Sequence, residues 1–312
     1  MSVPSGTQRK NWTTRALLAW MQDAFKSRGL DSPRLCAEIL MAHVIGCDRL
    51  KLYTDPDRPA SPLERETLRD LVKRALNHEP VQYLTGEAWF FGMRFDVDRR
   101  VLIPRPSTET IVEHVLQHQR AEPGFGHGEA SGEGLLIADL CTGSGCVGIA
   151  LAKRLQGARV AATDVSSDAL EVARANAHAH AVDERMDFVQ GDLLVALDQH
   201  PGARVNHSLH YLVSNPPYIP DGEWADVEPN VKDHEPELAL RGGADGLDLV
   251  RPLVELAHER LVPHGVLAIE LAASHADQAV ALATQTGKYD EIRMLQDLEG
   301  HDRVLWAERS AD

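Results

Sequence analysis

An apolar run, Tyr211-Leu212-Val213-Ser214, is followed at once by Asn215-Pro216-Pro217-Tyr218. The run reads as a strand. Two consecutive prolines cannot continue it within a sheet, because neither has an N–H and both fix φ. The chain is therefore forced out at the carboxyl end of the strand, where open α/β sheets bind ligands. It leaves a cluster of acceptors there: the Asn215 side-chain oxygen and nearby backbone carbonyls, beside an aromatic ring. A planar –NH2 group fits such a place, with two N–H bonds to hold and a flat face to stack. That chemistry is modification of an amide or amino nitrogen.

The surrounding pattern is that of a doubly wound α/β sheet. Leu135–Leu140, Arg159–Asp164, Met186–Gln190, Tyr211–Ser214 and Gly265–Glu270 read as strands. Helices are expected over Cys146–Leu155, Ser167–His180, Leu247–Leu261 and His275–Thr286. Glu291–Gln296 and Arg303–Glu308 read as a terminal antiparallel pair.

The first part of the chain is different. Leu17, Leu18, Met21 and Phe25 fall at helical spacing, as do Leu35, Ile39, Leu40 and Val44, then Leu63, Leu68, Leu71, Val72 and Leu76. Ser32-Pro33 reads as an N-cap followed by proline in the first turn. A bundle of four or five helices over residues 1–85 is the expectation. Residues 86–121 read as a linking β-hairpin, drawn from 89–97 and 101–103, and then a helix from Thr108-Glu109 capped by Ser107 or Thr108. Residues 122–134, rich in Gly, Glu and Ser, read as a flexible loop. Residues 135–312 form the α/β domain.

Net charge is −15, with 43% hydrophobic and 25% charged residues. This is a globular composition. Unaided binding to duplex nucleic acid is disfavoured, since that requires Lys and Arg to displace counterions. Cys36, Cys47, Cys141 and Cys146 form no CxxC pair, so neither a zinc site nor a disulfide framework is expected. The polar first residues, MSVPSGTQRKNW, carry no apolar stretch of a signal peptide, and no apolar run reaches membrane-spanning length. A cytoplasmic protein with no bound metal is the expectation.

The first strand delivers Asp139-Leu140-Cys141-Thr142-Gly143-Ser144-Gly145-Cys146-Val147-Gly148. Gly143, Gly145 and Gly148 satisfy GxGxxG, which alone fits a dinucleotide site as well as others. Asp164 ends the second strand, where an acid can hold ribose hydroxyls. Asp192 follows the third, where its carboxylate or nearby carbonyls can accept from an adenine amino group. Three acids on successive strand ends, with the tetrad on the fourth, fit S-adenosylmethionine better than NAD. The 214–224 loop offers no His or Lys for hydride-transfer chemistry.

Further motifs extend the argument: EPVQYLTGEAWFFG, VLIPRPSTE, DLCTGSGCVGIALA, SNPPYIP, HEPELALRGGADGLDLVR and the closing EGHDRV. On these the chain resembles the glutamine methyltransferases that modify peptide chain release factors. The resemblance implies an N-terminal helical bundle, a linking hairpin and a class I, Rossmann-like, seven-stranded methyltransferase domain. It implies transfer of methyl from S-adenosylmethionine to the amide nitrogen of the release-factor GGQ glutamine, with the release factor as partner. By the same resemblance the cofactor loop falls on Thr142, Gly143, Ser144 and Gly145, the ribose acid on Asp164, and the adenine side on Asp192 and Leu193. The glutamine pocket falls on Asn215, Pro216, Pro217 and Tyr218. Asn215 Oδ1 and the Pro216 carbonyl would accept the two amide hydrogens, while Tyr218 packs on the amide plane. Many members carry Gly at Cys141 and an aromatic residue at Leu193. CTGSGC and AWFFG are similar to the sister enzymes acting on ribosomal protein uL3, which stand as the alternative. A DNA or RNA amino-methyltransferase is a more distant one.

Four features stay open at this level. Glu270 ends the fifth strand, near the cofactor or exposed. Arg105 ties the hairpin to the sheet or meets a partner. Residues 231–237 are a partner contact or a solvated loop. The helical bundle recognises the release factor, or its apolar stripe is simply its own core.

Overall fold

Residues 12–121, 132, 134–203 and 206–311 are described by the computed structural model. The polar first residues and, except for Gly132 and Gly134, the expected loop at 122–134 lie outside them. The chain divides into two compact units, Met1–Gly86 and Glu87–Asp312. The hairpin and the helix after it group with the second unit.

The first unit is helical: α1 (Thr14–Ser27), α2 (Pro33–Ile45), α3 (Lys51–Thr54), α4 (Pro62–Ala75) and α5 (Val81–Thr85). Leu17, Leu18, Met21 and Phe25 of α1 are buried together with Leu40, Met41, Leu68 and Val72. The apolar stripe is this unit's own core. Leu35 and Leu63, at the same spacing, are exposed. Helix α4 starts with a capping box in which Ser61 and Glu64 exchange side-chain bonds with each other's backbone N–H. Ser32 departs from expectation. It precedes α2, but its backbone is left-handed (φ 47°) and its side chain makes no cap bond. Capping requires an extended residue that presents its oxygen to the first turn.

The second unit opens with the hairpin β1 (Glu87–Phe90) and β2 (Met93–Asp96). Val101–Ile103, expected to join it, is not in a strand. The Ile103 N–H donates to the Glu235 carboxylate at 3.0 Å, a bond that no ladder supplies. A 3-10 turn, Pro106–Thr108, leads into α6 (Glu109–Ala121). Then follow β3 (Leu136–Leu140), α7 (Cys146–Arg154), β4 (Arg159–Asp164), α8 (Ser167–Ala179), β5 (Met186–Gln190), α9 (Leu193–Ala196), β6 (Leu209–Ser214), α10 (Pro229–Lys232), α11 (Val250–Leu256), β7 (Leu261–Glu270), α12 (Ala276–Thr286), β8 (Tyr289–Gln296) and β9 (Asp302–Arg309). The helix expected over Leu247–Leu261 is shorter, because a 3-10 turn at Ala257–Glu259 ends it and Leu261 already belongs to β7.

The seven strands run in the order β5-β4-β3-β6-β7-β9-β8. β3 to β7 are parallel, and β8 and β9 are antiparallel. Strand periodicity of two sorts the core into two layers. Ile137, Val160, Tyr211, Val213, Val266 and Trp306 face α6 and α7 on one side. Ala138, Leu140, Leu212, Leu267, Ile269 and Leu305 face α11 and α12 on the other. The strand order reverses between β3 and β6. A reversal of this kind opens a crevice at the carboxyl ends of the strands.

Candidate active site

The glycine turn after β3 is built around two carboxylates. Asp139 is 2% exposed, and its Oδ2 accepts the Thr142 hydroxyl at 2.6 Å and the Gly148 N–H at 2.9 Å. A Cβ on Gly148 would lie 2.8 Å from that same oxygen, so the third glycine of the motif makes room for the acid. Burial pushes the Asp139 carboxyl up to about 6, against the hydrogen bonds from Thr142 and Gly148. Asp164, at the end of β4, accepts the Gly143 and Ser166 N–H groups, each at 2.9 Å. Burial raises its pKa too. Gly145 adopts φ +81° at the start of α7, where a Cβ would meet Ile149 at 2.8 Å. It shapes the turn from behind rather than facing the cavity.

That turn walls a cavity of about 380 Å³. Such a volume suits a small-molecule cofactor. Asp139, Thr142, Gly143, Ser144, Asp164, Asp192 and Leu193 line it. Asp192 precedes α9, but its side chain makes no cap bond to it. Val165, Ala169 and Cys141 add apolar wall beside these acceptors. Carboxylates for hydroxyl groups and an apolar slot for a flat ring are the two things that S-adenosylmethionine requires, and the residues present fit it.

Cys141 stands in the turn with a left-handed backbone (φ 56°), a conformation that favours glycine. Burial pushes its thiol and that of Cys146 up to about 12. At pH 8 the thiolate would be about one part in ten thousand. Neither cysteine should react with iodoacetamide in the native protein at pH 8 on the timescale that modifies free thiol. Peptide mapping checks this, and rapid labelling of Cys141 would contradict it.

The tetrad stands on the next strand. Ser214 Oγ donates to the Leu140 carbonyl at 2.9 Å, fastening the end of β6 to that of β3. Asn215 Nδ2 donates to Thr108 Oγ1 at 3.1 Å, which leaves Oδ1 as the free end of the amide. Asn215 and Pro217 line the cavity just described. Asn215 and Tyr218 line a second, more open one of about 520 Å³. The tetrad is thus the wall between two cavities. Pro216 is buried and lines neither. The Tyr218 hydroxyl is pushed up to about 12, first by burial and then by Glu270, so it stays protonated.

The backbone of the tetrad is held by the loop that carries Gly242-Gly243 and Gly246. The Gly242 N–H donates to the Ile219 carbonyl at 2.9 Å, and the Ile219 N–H to the Leu240 carbonyl at 2.9 Å. A Cβ on Gly242 would lie 2.7 Å from Tyr218 Cα and 2.8 Å from the Pro217 carbonyl oxygen. The GGADG run is therefore the imprint of two backbones in contact.

The open features resolve as follows. Glu270 is fully buried and lines neither cavity. Arg105 pairs with the buried Glu235, which also takes the Ile103 N–H, so this arginine does fasten the segment after the hairpin while lining both cavities. The 231–237 segment is not simply solvated, since Glu235 is inside. Thr108 and Ser107, read as cap residues, turn their hydroxyls to Asn215 and Glu270. No local pattern announces this, because the partners lie 107 and 163 residues away.

The chain is similar to known proteins over nearly its whole length. Residues 16–86 match the model of the PrmC N-terminal domain, and residues 130–229 that of the methyltransferase small domain. The release factor glutamine methyltransferase of Chlorobaculum tepidum is 42% identical over 299 residues, covering 96% of this chain and 98% of the relative. That of Rhodopirellula baltica is 35% identical, covering 94% and 95%. That of Streptomyces coelicolor is 37% identical, covering 90% and 93%.

Proposed function

The chain belongs to the release factor glutamine methyltransferase family, and on that premise we propose that it methylates the side-chain amide nitrogen of the GGQ glutamine of a peptide chain release factor in the cytoplasm. The protein is an S-adenosylmethionine-dependent methyltransferase. The observation that carries the substrate reading is Asn215, whose free Oδ1 stands where two cavities meet.

S-adenosylmethionine supplies an electrophilic methyl group on its sulfonium. Thr142, Gly143, Ser144, Asp164, Asp192 and Leu193 would hold it. The rest of the work falls to the chain. An amide nitrogen is a weak nucleophile because its lone pair is delocalised into the carbonyl. Asn215 Oδ1 accepts one of its two hydrogens, fixes its position and favours a pyramidal nitrogen; the Pro216 carbonyl, which the sequence resemblance implied for the other, lines neither cavity. Proximity of this kind contributes several kcal/mol. Acceptors aimed at a nitrogen that becomes positive add electrostatic stabilisation. Tyr218, as neutral phenol, packs on the amide plane and holds its own proton. The amide proton leaves after methyl transfer, so no strong base is needed.

The test is incubation with methyl-labelled S-adenosylmethionine and purified release factor, ribosomal protein uL3 or RNA, each alone, followed by mass mapping. Label on a release-factor glutamine is the expected result. Label confined to uL3 or to a base would overturn the proposal.

A further inference from the structure

The cavity of about 380 Å³ is acidic along one side, where Asp139, Asp164 and Asp192 stand at the ends of β3, β4 and β5. Further negative charge is repelled there. S-adenosylmethionine itself carries an anion, the carboxylate of its methionine, joined to the sulfonium by a short carbon chain. A methyl group presented to Asn215 keeps that carboxylate near the tetrad. Among the described residues, the cations that line this cavity are Arg100 and Arg105. Arg100 is already committed. Its Nη2 donates to Asp98 Oδ2 at 2.7 Å and its Nη1 to Glu171 Oε2 at 3.1 Å, so two carboxylates balance it.

Arg105 has donors to spare. Its Nη2 donates to Glu235 Oε1, and its other N–H groups make no hydrogen bond among the described residues. Glu235 also accepts the Ile103 N–H at 3.0 Å, and its side chain is only 1% exposed. The arginine is thus anchored from inside, while 31% of its own side chain is exposed. It lines both cavities, as Asn215 does. Its carbonyl accepts the Thr108 N–H at 3.1 Å, and Thr108 holds Asn215 Nδ2. A planar fork of donors therefore stands close to the residue that faces the methyl group. Guanidinium matches carboxylate with paired, charge-assisted bonds. We propose that Arg105, anchored by Glu235, binds the methionine carboxylate of the methyl donor. This rests on reading the cavity as the donor site.

The test compares two ligands by calorimetry: S-adenosylhomocysteine, and its decarboxylated analogue, which keeps the nucleoside, the sulfur and the amine. The parent should bind S-adenosylhomocysteine more tightly than the analogue. Arg105→Ala should weaken S-adenosylhomocysteine by about tenfold or more, the worth of hydrogen bonds to a charged group, and leave the analogue within about twofold. The preference for the carboxylate then disappears. Arg105→Lys should recover only part of it, because an ammonium keeps the charge and loses the fork. Arg100→Ala should keep the parent's preference. Arg105→Ala also leaves Glu235 buried without its partner. Should that variant melt below assay temperature, the double variant Arg105→Met, Glu235→Gln removes both charges together and should lose the preference in the same way. A purely structural Arg105 would weaken both ligands alike. An arginine that serves the protein substrate would raise KM for the release factor with S-adenosylhomocysteine affinity unchanged. Either result would overturn the proposal and leave the donor site standing. A parent that binds no S-adenosylhomocysteine would remove the donor reading of the cavity, and this inference with it.

Discussion

Asn215→Ala lowers turnover by about 10²–10³-fold or more, the loss expected when one preorganised polar group is taken from a developing charge. The expected mode of failure is specific. The glycine turn and its two carboxylates belong to β3 and β4 and make no hydrogen bond to Asn215. S-adenosylhomocysteine should therefore still bind, and the defect should appear in kcat. Alanine also leaves Thr108 Oγ1 without its donor. Some loss of thermal stability accompanies the change, but only about 1 kcal/mol, the usual worth of one hydrogen bond. Calorimetric binding, steady-state kinetics and a melting curve separate these effects. Near-parent turnover would show that the tetrad is a strand-ending turn and nothing more.

Gly242→Ala is expected to do as much harm from a position that carries no side chain at all. The added methyl would lie 2.7 Å from Tyr218 Cα and 2.8 Å from both the Pro217 and Gly246 carbonyl oxygens. All three are backbone, so no rotamer can relieve the contact, and one of the two chains must move. Overpacking of this kind costs about 1–3 kcal/mol. A shift of about 1 Å in the wall of the site can cost about a hundredfold in rate. Gly222, in the same region, is the control, because a Cβ there would meet nothing within 4 Å. Gly222→Ala should be indistinguishable from the parent in turnover and melting temperature. If Gly242→Ala behaves like Gly222→Ala, the loop does not hold the tetrad.

Much of this was legible in the sequence because it is local. β4 and β5 run over the residues expected, since each is a β-rich stretch bounded by turn residues. Asn215, the acids and the glycine turn could be placed because each follows a strand directly. What could not be read was lateral. Glu270 looks like any strand-end acid until the register sets it beside Asn215. Glu235 sits in a charged, loop-like segment, and only the fold shows it buried against Arg105. Ser107 and Thr108 have the composition of a helix start, so a valid local rule concealed their long-range partners. The end of α11 is hidden for the opposite reason: apolar residues continue from helix into strand without a break, and periodicity does not mark where one becomes the other.

The hydrogen bonds around the glycine turn bear on binding energetics. Thr142, Gly143 and Gly148 each give a donor to a carboxylate of the protein, from β3 or from β4. The shape of the turn is thus set by the sheet and is part of the folded state. Immobilising a flexible side chain on binding costs about 0.5–1.5 kcal/mol each time. Here that entropy is lost once, at folding, and does not recur at every turnover. An enzyme that must take up a fresh methyl donor and discard the spent one in each cycle gains affinity without needing a loop that closes.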